Sequence, residues 1–301
     1  MRSIYVIAGV TGSGKSAIAV DLARRAGGEI LSCDSTQFYK NANIGTAKIT
    51  KEEQSGIPHH GLDLVDLDQC FDVKQFVAYA RHVLDEVWSR GKDIFVVGGS
   101  GFYLLSFYKA ICDNVSVSQQ VRVSVQQLWQ VGGMEAIKSE LLKYNSNLSS
   151  ELIQNPVRAL RALERCITTG YSVENMRRNF NRQVGPFDSI PKITIKVEKS
   201  PKIWETGLRE RIGDMLQNGL IEEVIQLRAN GLERHPTLSR AVGYREVLAF
   251  LSGCLSKEDL AERIFYHTRQ LARKQRIWFR KKIQFDAVIN ANQSQNLIAQ
   301  N

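Results

Sequence analysis

The chain has 301 residues, 43% hydrophobic and 24% charged, a balance that fits a globular fold and excludes a low-complexity or disordered chain. No apolar run approaches the roughly 20 residues that a membrane helix needs. Five scattered cysteines (Cys33, Cys70, Cys112, Cys166, Cys254) without a C-x-x-C pair argue against a metal cluster or disulfide framework, and the net charge of +9 favours a polyanionic partner.

The first apolar stretch, Ile4 to Val10, runs straight into a glycine loop rather than a cleavage site. It does not read as a signal peptide and predicts a cytosolic protein. Short apolar runs then alternate with helical patterns, the signature of an α/β fold with a parallel sheet. Ile4–Ala8 predicts a buried strand, Ser16–Ala26 a helix closed by Gly27-Gly28, and Glu29–Cys33 a second strand. Phe76–Arg90 predicts a helix, Asp93–Val97 a third strand, Ile193–Glu198 a fourth and Phe285–Ile289 a fifth. Residues 114–154 interrupt the alternation with helical periodicity and many Gln, Ser and Asn, and predict a small all-helical insertion. The expected architecture is a P-loop NTPase-like parallel sheet flanked by helices, with core segments 1–113 and 155–301 around that insertion. Further helices are expected at Ile203–Asn218, Ile221–Ala229, Tyr244–Leu251 and Lys257–Lys282, the last opening on a capping box of Ser256 and Asp259.

Gly9-Val10-Thr11-Gly12-Ser13-Gly14-Lys15-Ser16 matches G-x-x-x-x-G-K-[ST] in full, between a strand and a helix. Glycines let backbone N–H groups converge on phosphate oxygens, and the helix N-terminus adds a favourable dipole. Lys15 supplies a point charge and the Ser16 hydroxyl a Mg²⁺ ligand. The loop implies a diphosphate or triphosphate, not a nucleotide as such. A P-loop ATPase carries an Asp at the end of an apolar strand. Here Asp93 opens its strand, which ends in Gly98-Gly99-Ser100-Gly101.

Asp34 directly follows the second strand, so it is expected to share a crevice with the phosphate loop. Such a carboxylate can take a proton from a nucleophile. Two rival readings are a small-molecule P-loop kinase, with ATP as donor and Asp34 activating a hydroxyl, and a non-catalytic RNA-binding protein with a vestigial phosphate loop, against which intact Lys15, Ser16 and Asp34 argue.

Several ordered blocks then resemble the tRNA dimethylallyltransferases, or isopentenyltransferases. They are Asp34-Ser35-Thr36-Gln37-Phe38-Tyr39 with Ile44-Gly45-Thr46-Ala47-Lys48, Pro58-His59-His60, Gly98 to Tyr103, and Arg158 with Arg161-Ala162-Leu163-Glu164. Arg240 to Arg245 and Thr268 to Gln275 with Trp278-Phe279-Arg280 complete the set. The resemblance implies transfer of a dimethylallyl group from dimethylallyl diphosphate to N6 of adenine 37 in the tRNA anticodon stem-loop, with Mg²⁺ as cofactor. It implies Asp34 as general base, and Gly9, Val10, Thr11, Gly12, Ser13, Gly14, Lys15 and Ser16 as the diphosphate site. Arg211 would join Lys15 and Ser16 in stabilising the departing charge. RNA contacts are implied at Asp34, Ser35, Thr36, Gln37, Ser100, Arg122, Arg240, Gly243, Tyr244 and Arg245. The chain departs from the family pattern at Gly207, where an arginine precedes Arg211 by four residues in relatives.

Arg158, Arg161 and Arg165 fall on one helix face, and Arg273 and Lys274 sit in a C-terminal segment, 256–283, with nine Lys/Arg against three Asp/Glu. These basic faces suit a sugar–phosphate backbone. His59 and His60 are expected to shape a loop, and Trp278 to pack in the core. Nothing in the pattern calls for an obligate dimer, and a monomer is expected.

Overall fold

The structure, a computed structural model, describes residues 2–113 and 115–292. In chain order its first elements are β1 (Ile4–Ala8), α1 (Lys15–Ala26), β2 (Glu29–Ser32), α2 (Lys51–Gln54), β3 (His59–His60), α3 (Val73–Ser89), β4 (Ile94–Gly98) and α4 (Gly101–Leu105). A run of helices follows: α5 (Gln119–Leu142), α6 (Ser150–Ile153), α7 (Pro156–Thr169) and α8 (Val173–Asn181). The chain closes with β5 (Lys192–Glu198), α9 (Pro201–Gln217), α10 (Leu220–Ala229), α11 (Tyr244–Leu251), α12 (Lys257–Lys282) and β6 (Ala287–Asn290).

Six parallel strands form one sheet in the order β3-β2-β4-β1-β5-β6. The expected strands are all present. The sixth, β3, was expected as a loop; at two residues it is too short to carry a period. The apolar sequences of β1 and β4 follow from burial on both faces. Alternate residues serve opposite layers, as the pleat requires. Ile4, Val6, Leu31, Ile94 and Val96 join the larger core with α3 and α9 to α12, whereas Ile7, Ile30, Phe95 and Val97 pack on Ile18, Ala19 and Ala23 of α1.

Helix ends are chemically marked. The Asp72 carboxylate accepts from Gln75 N at 2.9 Å, and Gln75 Oε1 accepts from Asp72 N at 2.9 Å, a complete capping box. The box expected at α12 is half formed. Ser256 Oγ accepts from Asp259 N at 3.1 Å, but the shorter aspartate side chain meets the serine hydroxyl at 2.8 Å instead of its amide.

Residues 1–109 and 186–301 make one compact unit, and 110–185 a second. The helical unit is therefore wider than the expected 114–154. The physical reason is α7, which buries Ala159, Leu163 and Cys166 against Val125, Ile137 and Leu141 of α5. Within α5, Gly133 (φ 56, ψ −145) breaks the helix where the apolar pattern changes phase.

Candidate active site

The strand register places the site. Ala8 pairs with Gly98 and Ser32 with Val97, so β1, β4 and β2 end level with one another. The phosphate loop leaves β1, Asp34 follows β2, and Gly99-Ser100 follows β4 between them. β4 lies between the strands that carry them, and its glycines keep the gap open. A Cβ on Gly98 would meet Cys33 O at 2.1 Å, and one on Gly99 would meet Gly9 O at 3.2 Å and Lys15 Nζ at 3.7 Å.

Over this edge lies a cavity of about 560 Å³, lined by Lys15 and Ser16 on one side, Asp34 on another, and Arg211 from α9. Asp34 Oδ1 accepts from Thr36 N at 3.1 Å and Thr36 Oγ1 at 2.8 Å. Its Oδ2 has no hydrogen-bond partner among the described residues. Ser100 Oγ accepts from Ser35 N at 3.1 Å, tying the β4 turn to the β2 turn. Burial lowers the Lys15 pKa, the Asp34 charge raises it in part, and Arg211 lowers it again. Burial likewise lowers Arg211 against the pull of Asp34 and Glu53. With Arg240 and Lys274 also lining the cavity, cations outnumber the single carboxylate. Such a cavity suits an anion, with one carboxylate oxygen left to take a proton.

Three glycines let helices press on the cavity loops. A Cβ on Gly12 (φ +80) would meet Trp204 Nε1 at 3.0 Å, one on Gly45 the Tyr244 ring at 2.1 Å, and one on Gly101 the Trp278 ring at 2.5 Å.

The expected site residues divide into groups. Of the phosphate loop, Thr11, Lys15 and Ser16 line the cavity, while Gly9, Val10, Gly12, Ser13 and Gly14 complete the turn. Asp34, Ser35, Thr36, Gln37, Ser100, Arg211, Arg240 and Lys274 also line it. Tyr244 does not: it is 0% exposed, so an RNA contact there is corrected to a core role. Gly243 is buried as the N-cap of α11, and Arg245 pairs with Glu246 in a separate small cavity. Arg273 is exposed on α12. Arg122, Arg158 and Arg161 are exposed on the helical unit, where Arg161 pairs with Glu164 at 2.7 Å. Arg165 leaves the expected basic face, because it pairs with Asp113. His59 lines the cavity and His60 bonds Glu29 at 2.7 Å, both from β3 instead of a loop. Trp278 is half-buried against Gly101 and lines the cavity, so it belongs to the wall as well as to the core.

Three residues outside the sequence expectations shape the site. Gln275 accepts from Thr11 N at 2.9 Å and donates to Gly99 O at 3.0 Å, bridging two of the loops. Trp204 donates to Thr11 O at 2.9 Å. Glu223 collects the amides of Asn43, Ile44 and Gly45 at 2.9, 2.7 and 2.9 Å. Gln275 lies inside a quoted motif block, but nothing in local sequence pairs residues 176 to 264 positions apart.

Residues 37–282 match the family model described as IPP transferase. A tRNA dimethylallyltransferase from Opitutus terrae is 39% identical over 281 residues, which is 93% of this chain and 90% of that protein. One from Francisella philomiragia is 31% identical over 302 residues, 99% of this chain and 97% of that protein. The crystal structure of the full-length tRNA isopentenylpyrophosphate transferase from Bacillus halodurans gives a TM-score of 0.70 at 28% identity, covering 99% of this chain and 96% of that one. A eukaryotic dimethylallyltransferase, solved acting on tRNA, gives 0.80 at 27% identity over 95% of this chain and 74% of that one. The family model spans most of the chain, and relatives 39% and 31% identical cover 93% and 99% of it, so the chain belongs to the IPP transferase family.

Proposed function

We propose that the chain is a tRNA dimethylallyltransferase that uses dimethylallyl diphosphate to prenylate N6 of adenine 37, with the Lys15 loop holding the diphosphate and Asp34 as the base. The observation that carries this reading is that Lys15, Arg211 and Asp34 border one cavity. Its volume falls within the range of about 300–1,000 Å³ usual for small-molecule sites.

The adenine amine is a weak nucleophile, because its lone pair is delocalised into the ring. It bonds to the allylic carbon as that carbon's bond to oxygen breaks, and the bonding pair leaves with the diphosphate. Lys15, Arg211 and the loop amides face the growing negative charge, the term expected to dominate. The amine proton passes to Asp34 Oδ2, the oxygen that Thr36 does not engage. Thr36 holds the carboxylate by its other oxygen and so fixes the direction of Oδ2. Base catalysis of this kind contributes about 10²–10⁴-fold. The adenine must leave its stack to enter the cavity, at a cost of a few kcal/mol.

The donor set fits Mg²⁺. The Ser16 hydroxyl supplies a hard oxygen on the cavity beside Lys15, and no group of three or more His, Cys, Asp or Glu among the described residues forms a cage of its own. Such a site takes Mg²⁺ together with substrate phosphates, where the ion neutralises leaving-group charge. The exposed Arg273 and Lys274 of α12, with Arg158, Arg161 and Arg122 of the helical unit, supply cations for the tRNA backbone. The same reading takes the protein to act as a monomer on tRNA in the cytoplasm.

The test is incubation of the pure protein with tRNA, Mg²⁺ and dimethylallyl diphosphate, followed by nucleoside mass spectrometry. Adenosine should gain one dimethylallyl group. Absence of that product, or phosphoryl transfer from ATP in its place, overturns the reading.

A further inference from the structure

The phosphate loop needs its peptide planes set before an anion arrives. Thr11 faces the cavity and precedes Gly12, whose φ is +80. Glycine adopts positive and negative φ with similar ease, so the Thr11–Gly12 peptide is free to flip unless something holds it. A flip would turn the Thr11 carbonyl oxygen, the negative end of the peptide dipole, into the loop that receives the diphosphate.

Two helices pin this segment from different sides. Gln275 Oε1 of α12 accepts from Thr11 N at 2.9 Å, and the preceding carbonyl, Val10 O, accepts from Ser13 N at 3.1 Å, so the Val10–Thr11 peptide is held at both ends. The Thr11–Gly12 peptide is held through its oxygen by Trp204 Nε1 of α9 at 2.9 Å. Trp204 is 4% exposed and does not line the cavity, so the carbonyl it holds points away from the anion site. The indole edge also lies against Gly12, where an added Cβ would meet Nε1 at 3.0 Å. The Arg276 guanidinium stands over the indole at 4.8 Å and keeps the ring in place.

We propose that Trp204 is a positioning residue of the donor site: its indole N–H locks the Thr11–Gly12 peptide with the carbonyl turned out of the diphosphate loop. The lock rests on the reading of that loop as the diphosphate site. It acts on donor affinity and leaves the base and the RNA surface untouched.

The experiment compares steady-state kinetics of wild type, Trp204→Phe and Lys15→Ala on the full chain. Trp204→Phe removes the N–H and keeps an aromatic ring in the core. The donor KM should rise about tenfold, the loss of one hydrogen bond to a preformed loop, with the tRNA KM unchanged and kcat within about twofold. A general packing defect would move both KM values and the melting temperature together. If Phe disturbs the fold, β-(benzothienyl)alanine placed at 204 by codon suppression keeps the indole shape and lacks the donor, and the same selective rise is expected. A donor KM within about twofold of wild type, beside a Lys15→Ala protein whose donor KM rises, overturns the lock alone. A Lys15→Ala protein with an unchanged donor KM overturns the diphosphate reading and the lock with it.

Discussion

The Glu223 carboxylate accepts a hydrogen bond from the Tyr244 hydroxyl at 2.7 Å, beneath the 43–47 loop that walls the cavity. The same carboxylate binds three successive loop amides, and the Tyr244 ring leaves no room for a Cβ on Gly45. Burial, then the neighbouring Glu223 charge, pushes the tyrosine pKa far up, so it stays a neutral donor.

Glu223→Gln should therefore weaken both fold and activity. The amide cannot accept on both sides as the carboxylate does, so at least one buried N–H loses its partner. We expect a loss of about 2 kcal/mol in urea unfolding and a drop of about tenfold or more in kcat/KM. Gly45→Ala should cost about 1–3 kcal/mol through overpacking against the ring. Unfolding midpoints equal to wild type would show that this carboxylate does not organise the loop.

Asp34→Asn keeps the acceptor for Thr36 but removes the base. Transfer should fall about 10²–10⁴-fold, while tRNA affinity measured by filter binding changes by less than about threefold. Wild-type turnover by this variant would remove Asp34 from the mechanism.

Donor capture should depend on pH through Lys15. Burial lowers its pKa below the usual 10.5, Asp34 opposes this, and Arg211 adds to it. A lysine is charged below its pKa and neutral above, and diphosphate binding needs the charged form. Donor kcat/KM should accordingly fall as pH rises through the lowered Lys15 value, at a pH below 10.5. Lys15→Arg should move that fall to higher pH even where the rate is reduced. A profile flat up to pH 10.5 would contradict this.

On the proposed reading, affinity for tRNA should fall steeply with salt, as the exposed cations of α12 would displace counterions from the phosphate backbone. Arg273→Gln and Lys274→Gln should each reduce the slope of log Kd against log salt by about one contact. A slope unchanged in the double variant would place the RNA elsewhere.

Much of this was legible in the chain. The eight residues from Gly9 to Ser16 announce a phosphate loop, since backbone approach to an anion demands glycines at fixed spacing. The long strands and helices follow from period and caps. Asp34 is legible because an acid directly after a strand lies at the carboxyl edge of the sheet. What misled was also local. Tyr244 and Gly243 stand in a motif block beside exposed arginines, and no local feature separates a tyrosine buried at 0% from one on an RNA surface.

The sequence by itself determined the chemistry available: a phosphate-loop motif, a carboxylate after β2, and a basic α12. The tertiary structure alone decided which distant residues complete them. Strand order put β4 and its glycines between loop and acid, and packing brought Trp204, Gln275 and Glu223 onto loops 180 to 264 positions away in the chain. A hydrogen bond between remote residues leaves no periodic trace in either segment, because it depends on where whole elements dock and not on the local backbone that each residue prefers.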